Sequence, residues 1–348
     1  RNNLLRLGSA EKRLTKRLLQ NYAEWGIVGR PVRNSSDVLT VRLGLALIQI
    51  LDLEENQQRL RTNCWLRFTW KDTLLAWDTW PDEEFKAIKQ IRVRPSQIWT
   101  PDIKLYNFAD ERMKEKREAR VVVQSDGEIL WIPQALLKST CKVRLLNFPF
   151  DTQHCRMKFG SWTYDESKLM LDWSLTDIRI NDTHSEPKPL PFVDYNDYVK
   201  SNEWVTDGEF DLDIADPDQR RGQIRSIVSY RNETGFDAKG QPVTRRYRIL
   251  EFKIRMMRNP SFYVAILVVP CILLSLLTLV IFWLPPESPA KMLLGEWTTF
   301  YSGLALRELE VGVFPPLSPR TEVGVFSAHS LHALGVGVFS AHHSPHAL

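Results

Sequence analysis

Apolar residues recur at every second position over several stretches of the chain. Leu39, Val41, Leu43, Leu45 and Leu47 fall on one side of an extended backbone, and Thr40, Arg42 and Gly44 on the other. That alternation marks a half-buried strand. Cys64, Leu66, Phe68 and Trp70 repeat it, as do Leu169, Leu171, Trp173 and Leu175, and then Leu250, Phe252, Ile254 and Met256. Turn signals separate the runs, including Ser125-Asp126-Gly127 ahead of Ile129. Many short strands with regular turns and little interior helix predict a mainly β fold, an Ig-like β-sandwich. Residues 1–258 are expected to form it as one domain. The period changes only at the start, where Ser9 can cap a short helix carrying Leu14, Leu18, Tyr22 and Trp25 at helical spacing. Lys12, Arg13, Lys16 and Arg17 are expected to form its solvated face.

Residues 259–295 follow neither period. Phe262 to Leu284 is a run of 23 residues without a charge. As a helix it would span about 34 Å, enough to cross a bilayer with some tilt. Pro270 within it is tolerable in a membrane helix. Arg255 and Arg258 flank its N-terminal end, and a bias of basic residues toward the cytoplasm would place that end inside. Three N-glycosylation sequons, at Asn34, Asn181 and Asn232, argue for the opposite orientation, which we adopt. Residues 323–335 and 336–348 are two copies of a 13-residue unit, and a partial copy begins at Val311. Histidines in these copies raise metal binding, but short terminal repeats read better as low-complexity sequence. Residues 296–348 are expected to have no packed fold, because they carry too few well-spaced apolar residues to offset the entropy of ordering.

Composition narrows the function. A net charge of +4, with basic residues interspersed among acids, argues against nucleic acid. No G-x-S-x-G, H-E-x-x-H or Walker loop occurs, and most histidines sit in the repeats, so neither an enzyme nor a cofactor is expected. Four cysteines are present: Cys64, Cys141, Cys155 and Cys271. Spacing alone leaves Cys141 and Cys155 open as a disulfide or as two separate buried thiols. The chain starts at Arg1, which reads as a processed or incomplete sequence. Twelve tryptophans suit a packed sandwich and an aromatic ligand site. Aromatic residues gather beside turns: Trp99-Thr100-Pro101-Asp102 leading to Tyr106, Gly160-Ser161-Trp162-Thr163-Tyr164, and Tyr230 and Tyr247 flanking a polar hairpin. A cage of such rings can hold a quaternary ammonium. Core packing is the alternative for each, and the preferred one for Trp99.

The segment Cys141 to Cys155, CKVRLLNFPFDTQHC, resembles the signature loop of the Cys-loop receptors, the pentameric neurotransmitter-gated ion channels. Phe150 and Gln153 look nicotinic, since GABA- and glycine-type members usually carry Met and His there. The resemblance runs from about Ala10 to Gly295. It includes Pro270-Cys271, where the family's first transmembrane helix has Pro-Cys, and a linker at 285–295. It implies a disulfide between Cys141 and Cys155, with Cys64 unpaired. It also implies a ligand-binding ectodomain outside the plasma membrane, a postsynaptic setting, and assembly with homologous subunits into a pentamer embedded in lipid. The ligand implied is acetylcholine or a related quaternary ammonium compound, bound between subunits and coupled to gating. The principal face would take Tyr106, Trp162, Tyr230 and Tyr247. The complementary face, supplied by the neighbour, would take Trp70, Val122, Leu130 and Ile132.

Two departures qualify this. Between Tyr230 and Tyr247 the family's alpha-type subunits have adjacent cysteines, and this hairpin is longer with none. That shifts the expected duty toward Trp70, Leu130 and Ile132. Cation-selective members have Gly-Glu before the Lys that opens the pore helix, and Pro289-Ala290 here leans toward anion selectivity. With no further apolar run after 295, the expectation is a subunit truncated after its first transmembrane helix, so that this chain lacks the pore helices. A ligand-sequestering acetylcholine-binding protein and a truncated modulatory subunit are the alternatives.

Overall fold

The computed structural model describes residues 8–109, 118–175, 189–207, 224–236 and 241–285, with 289 and 295. The sequon at Asn181, Ala290 of the selectivity argument and residues 296–348 lie outside the described residues.

The alternating runs are strands of a two-sheet sandwich. One sheet holds β1 (Leu39–Glu54), β2 (Arg59–Lys71), β3 (Gln90–Val93), β5 (Val121–Gln124), β6 (Glu128–Trp131), β7 (Gln134–Thr140) and β9 (Leu169–Trp173). Its order is β3-β5-β6-β2-β1-β9, with β7 also pairing β2. The other holds β4 (Ile103–Leu105), β8 (Thr152–Ser161), β10 (Trp204–Thr206), β11 (Ile227–Phe236) and β12 (Pro242–Arg258), in the order β10-β12-β8-β4 with β11 beside β12. All pairings are antiparallel except β1 with β9, which runs parallel from Leu39↔Leu169 to Leu43↔Trp173.

Period-two burial along these strands makes the core. Leu43, Leu45, Leu66 and Phe68 from the larger sheet are buried, as are Met157, Phe159, Leu250 and Phe252 from the smaller. Trp173 meets Phe252 edge-on across the sheets at 5.2 Å between ring centres. The Ser125-Asp126-Gly127 turn joins β5 to β6 as expected. Gly127 has φ +83°, and a Cβ there would lie 2.4 Å from the Asp72 carbonyl oxygen, so only glycine fits. Leu175 falls outside β9 and instead bridges to Pro189.

Helix α1 (Ala10–Trp25) starts at Ser9, whose hydroxyl accepts from the Lys12 N–H at 3.4 Å. Leu14, Leu18 and Tyr22 are buried, but Trp25 in the last turn is 79% exposed, so the apolar stripe is one residue shorter than its spacing suggests. The basic face is not merely solvated: Arg17 pairs with Asp82 at 2.8 Å and covers Trp80, and Arg13 pairs with Glu84. The Tyr22 hydroxyl donates to buried Asp72 at 2.8 Å and accepts from the Trp99 N–H at 3.2 Å. Burial lifts the Asp72 carboxyl to about 6.

The apolar helix α3 (Ser261–Trp283) has mean hydropathy 3.0 and none of it is buried in the protein. It follows β12 after only Asn259 and Pro260. A wider π-helical turn at Val264–Val268 precedes Pro270, accommodating a residue that has no N–H to donate to the turn before it. Leu284, expected as its last residue, is extended and caps it. A short helix, α2 (Glu83–Lys86), and two 3-10 turns, Thr73–Leu75 and Pro95–Gln97, complete the described elements.

Candidate functional site

The disulfide forms between Cys141, just after β7, and Cys155 on β8, so it ties the two sheets together. Cys64 is free and buried, and burial pushes its thiol up to about 12. Within the closed loop the Phe148-Pro149 peptide is cis. The side-chain amide of Gln153 donates to Asp151 at 2.5 Å and to the Arg144 carbonyl at 2.8 Å, while its oxygen accepts from the Arg144 N–H at 2.9 Å. Gln153 therefore holds the loop's two limbs together.

At the base of this loop sits Arg258, the last residue of β12. Its Nε donates to Asp151 Oδ1 at 2.8 Å, and its Nη2 to Glu55 Oε1 at 2.9 Å. Its guanidinium also lies 4.4 Å from the Trp204 ring and 5.0 Å from that of Phe148. Burial alone would lower its pKa, but Asp151 and Glu55 outweigh that and hold it above its ordinary value. Phe148 in turn meets Tyr263 of α3 edge-on at 5.0 Å. Loop, sheet and helix thus converge on one buried cation. Arg255 is likewise paired, with Asp207 at 2.6 Å. Both arginines flanking the helix are ion-paired within the folded domain.

The aromatic residues fall into two groups on opposite sides of the sandwich. On β12, Leu250, Phe252, Ile254 and Met256 face the core, so Tyr247, of the other parity, lies on the outer face. Trp162 follows β8 with the outward parity of Gly160 and is 49% exposed. Tyr106, just after β4, packs edge-on against it at 5.7 Å between centres. Its hydroxyl donates to the Ser161 carbonyl. Gly160 permits this approach, since a Cβ there would lie 3.1 Å from the Tyr106 ring and 3.3 Å from the Arg248 carbonyl oxygen. Asp102, from the Trp-Thr-Pro-Asp segment, braces the Trp162 turn by accepting from Ser161 Oγ at 2.7 Å and from the Thr163 N–H at 2.8 Å. Trp99 itself is core, packed on Trp70.

Tyr230 does not join this cage. The register pairs it with Arg248, whereas Tyr247 pairs with Arg231. Directly opposed residues share a face, so Tyr230 and Tyr247 lie on opposite faces of the hairpin. Tyr230 sits under Arg246 at 3.6 Å instead. Arg231 stands in the place expected of Tyr230.

On the larger sheet, Val122, Leu130 and Ile132 lie half-buried on the outer face, with Val122 opposite Leu130 and Leu130 opposite Thr69. Trp70 is not with them. It shares parity with Cys64, Leu66 and Phe68 and is 2% exposed, packed on Trp99 in the core. Trp65, of the opposite parity, faces outward between Ala46 and Gln134. It is the tryptophan of β2 that a ligand could reach. Asn34 and Asn232 are both exposed. Among the described residues no group of His, Cys, Asp and Glu is arranged to hold a metal.

Residues 11–224 match the model of the neurotransmitter-gated ion-channel ligand binding domain. Among curated proteins, the chain is 36% identical over 287 residues to the neuronal acetylcholine receptor subunit alpha-2 of Gallus gallus, an alignment covering 82% of this chain and 46% of that protein. It is 36% identical over 285 residues to subunit alpha-4 of Gallus gallus, covering 82% and 39%. Against subunit alpha-4 of Homo sapiens it is 35% identical over 292 residues, with 82% and 39% covered. The chain thus spans less than half the length of these relatives.

Proposed function

Because this chain belongs to the neurotransmitter-gated ion-channel ligand-binding-domain family, we propose that it is a nicotinic-type receptor subunit whose sandwich supplies walls of ligand sites between neighbours in a pentamer. The carrying observation is the separation of the two groups. Tyr106, Trp162 and Tyr247 lie on the outer face of one sheet, and Trp65, Val122, Leu130 and Ile132 on the outer face of the other. One chain cannot close both around a ligand, whereas adjacent copies in a ring present one to the other. Electron-rich rings suit acetylcholine or a related quaternary ammonium.

In this reading residues 1–258 are the extracellular domain, and 259–295 carry the first membrane helix into plasma-membrane lipid at a postsynaptic site. Ligand closure shifts a conformational population toward the open channel. Arg258, with Asp151, Phe148 and Tyr263, passes the change from the sandwich to α3. The apolar helix, none of it buried in the protein, favours a membrane subunit over a soluble sequestering protein.

Calorimetric titration of monomeric and assembled full-length chain with acetylcholine tests the interface. Assembly should tighten binding, and Trp65→Ala should weaken it in the assembly with folding intact. Trp70→Ala should instead destabilise the fold by about 3–5 kcal/mol. Equal affinity of monomer and assembly rejects the reading.

A further inference from the structure

The cage on the outer face of the smaller sheet already holds a cation. Arg231 lies on β11 directly opposite Tyr247. Its guanidinium carbon stands 5.1 Å from the ring centre of Tyr106, 5.3 Å from that of Tyr247 and 6.0 Å from that of Trp162. All three lie within about the 6 Å reach of a cation–π contact. Its Nε is buried and makes no hydrogen bond among the described residues, and the far end of the group pairs with Glu233. Three ring faces, with one carboxylate behind, hold this side chain. Lys104 also approaches Trp162, at 5.8 Å.

We propose that Arg231 is a tethered occupant of the aromatic cage, closing this chain's own principal face to quaternary ammonium ligands until the arginine leaves. The proposal rests on reading the cage as a ligand wall, and it names the residue that sets that wall's specificity. A quaternary ammonium and a guanidinium compete for the same rings, and each repels the other at that separation. Intramolecular occupancy lowers the apparent affinity by the fraction of time the cage stands empty. The chain then contributes to a mixed assembly mainly through Trp65, Val122, Leu130 and Ile132, with a different subunit supplying the open cage. The missing adjacent cysteines and the intruding arginine point the same way.

The test uses single full-length chains in detergent, titrated calorimetrically with tetramethylammonium chloride. Arg231→Gln should bind at least about tenfold more tightly than the unmodified chain, as removal of an occupant present about nine-tenths of the time requires. Arg231→Lys should stay weak, because it keeps the charge. Adding Trp162→Ala to Arg231→Gln should abolish the gain. Arg231→Met, which keeps most of the apolar stem, repeats the measurement should the amide disturb the hairpin. The proposal is overturned if both neutral variants bind no more tightly than the unmodified chain, or if the gain survives Trp162→Ala. Because all these groups belong to one chain, the outcome is separable from the interface reading. An assembly of Arg231→Gln chains that ignores acetylcholine, while the single Arg231→Gln chain gains tetramethylammonium, rejects the interface alone. The reverse result rejects only the tethered cation.

Discussion

Replacing Arg258 by Met removes the one cation at the junction of loop, sheet and helix. The Arg258 side chain is 1% exposed and that of Asp151 is 2% exposed, so neither charge has water to fall back on. After the substitution Asp151 keeps the amide of Gln153 at 2.5 Å but loses the guanidinium contacts at 2.8 and 3.3 Å. Breaking a buried pair from one side leaves an uncompensated charge and costs about 3–5 kcal/mol. Glu55→Gln removes a carboxylate charge beside Arg258 while keeping an acceptor oxygen, and Glu55 is partly exposed, so that change should cost at most about 1 kcal/mol. Adding Asp151→Asn to Arg258→Met removes the stranded carboxylate, so the double variant should lose less than the sum of the single losses by about 1–3 kcal/mol. Urea unfolding of the full chain in mild detergent, followed by tryptophan fluorescence, gives all four values. Strict additivity, or an Arg258→Met loss no larger than that of Glu55→Gln, would refute the reasoning.

The folded protein holds the Asp72 proton up to about pH 6, whereas an ordinary carboxyl near 3.8 releases it earlier. This stabilisation is full below about pH 4 and is lost as pH rises through 6, so Asp72→Asn should flatten that part of the stability curve and gain on the order of 3 kcal/mol at pH 7; an unchanged slope between pH 4 and 7 in unfolding midpoints would contradict it. Gly160→Ala forces a methyl against the Tyr106 ring and should cost about 1–3 kcal/mol, while Gly235→Ala, whose Cβ would meet nothing within 4 Å, should cost little; equal losses by thermal unfolding would rule out the packing argument. Cys64, with its thiol pushed up to about 12 by burial, should resist alkylation in the native protein and react only after urea is added, as mass spectrometry would read; rapid native labelling would show that the core at β2 is open.

The strands were legible because their side-chain period is two, and the same parity carries further than the strands themselves. Trp65 and Trp70 are five positions apart on β2, an odd number, so they must face opposite ways. Trp70 alternates with Cys64, Leu66 and Phe68, and that alone assigns it to the core. The resemblance pointed to a tryptophan in this strand, and parity was the signal that separates the two. Tyr230 was not recoverable in the same way. Its face depends on the register of β11 against β12, and one residue of slip moves every side chain to the other side. No local pattern marks Tyr247 as the partner of Arg231. The ion cluster at Arg258 was hidden for a related reason: its partners Glu55 and Asp151 are 203 and 107 positions away. Trp25 fitted a helical stripe, but among the described residues none packs over the end of α1 to bury it.

The position of β12 has a consequence for biosynthesis. This strand is the scaffold of the smaller sheet, pairing with β8, β10 and β11, yet it is the last strand of the domain and stands two residues before the apolar helix. A nascent chain therefore cannot complete that sheet until its membrane anchor is itself emerging from the ribosome. Until then β8 and β4 wait with an open edge and an uncovered apolar face, the kind of surface that chaperones bind and that aggregates when they do not. Synthesis rate through residues 242–283, and the supply of chaperones during that interval, should govern the yield of folded protein more strongly than any earlier part of the message.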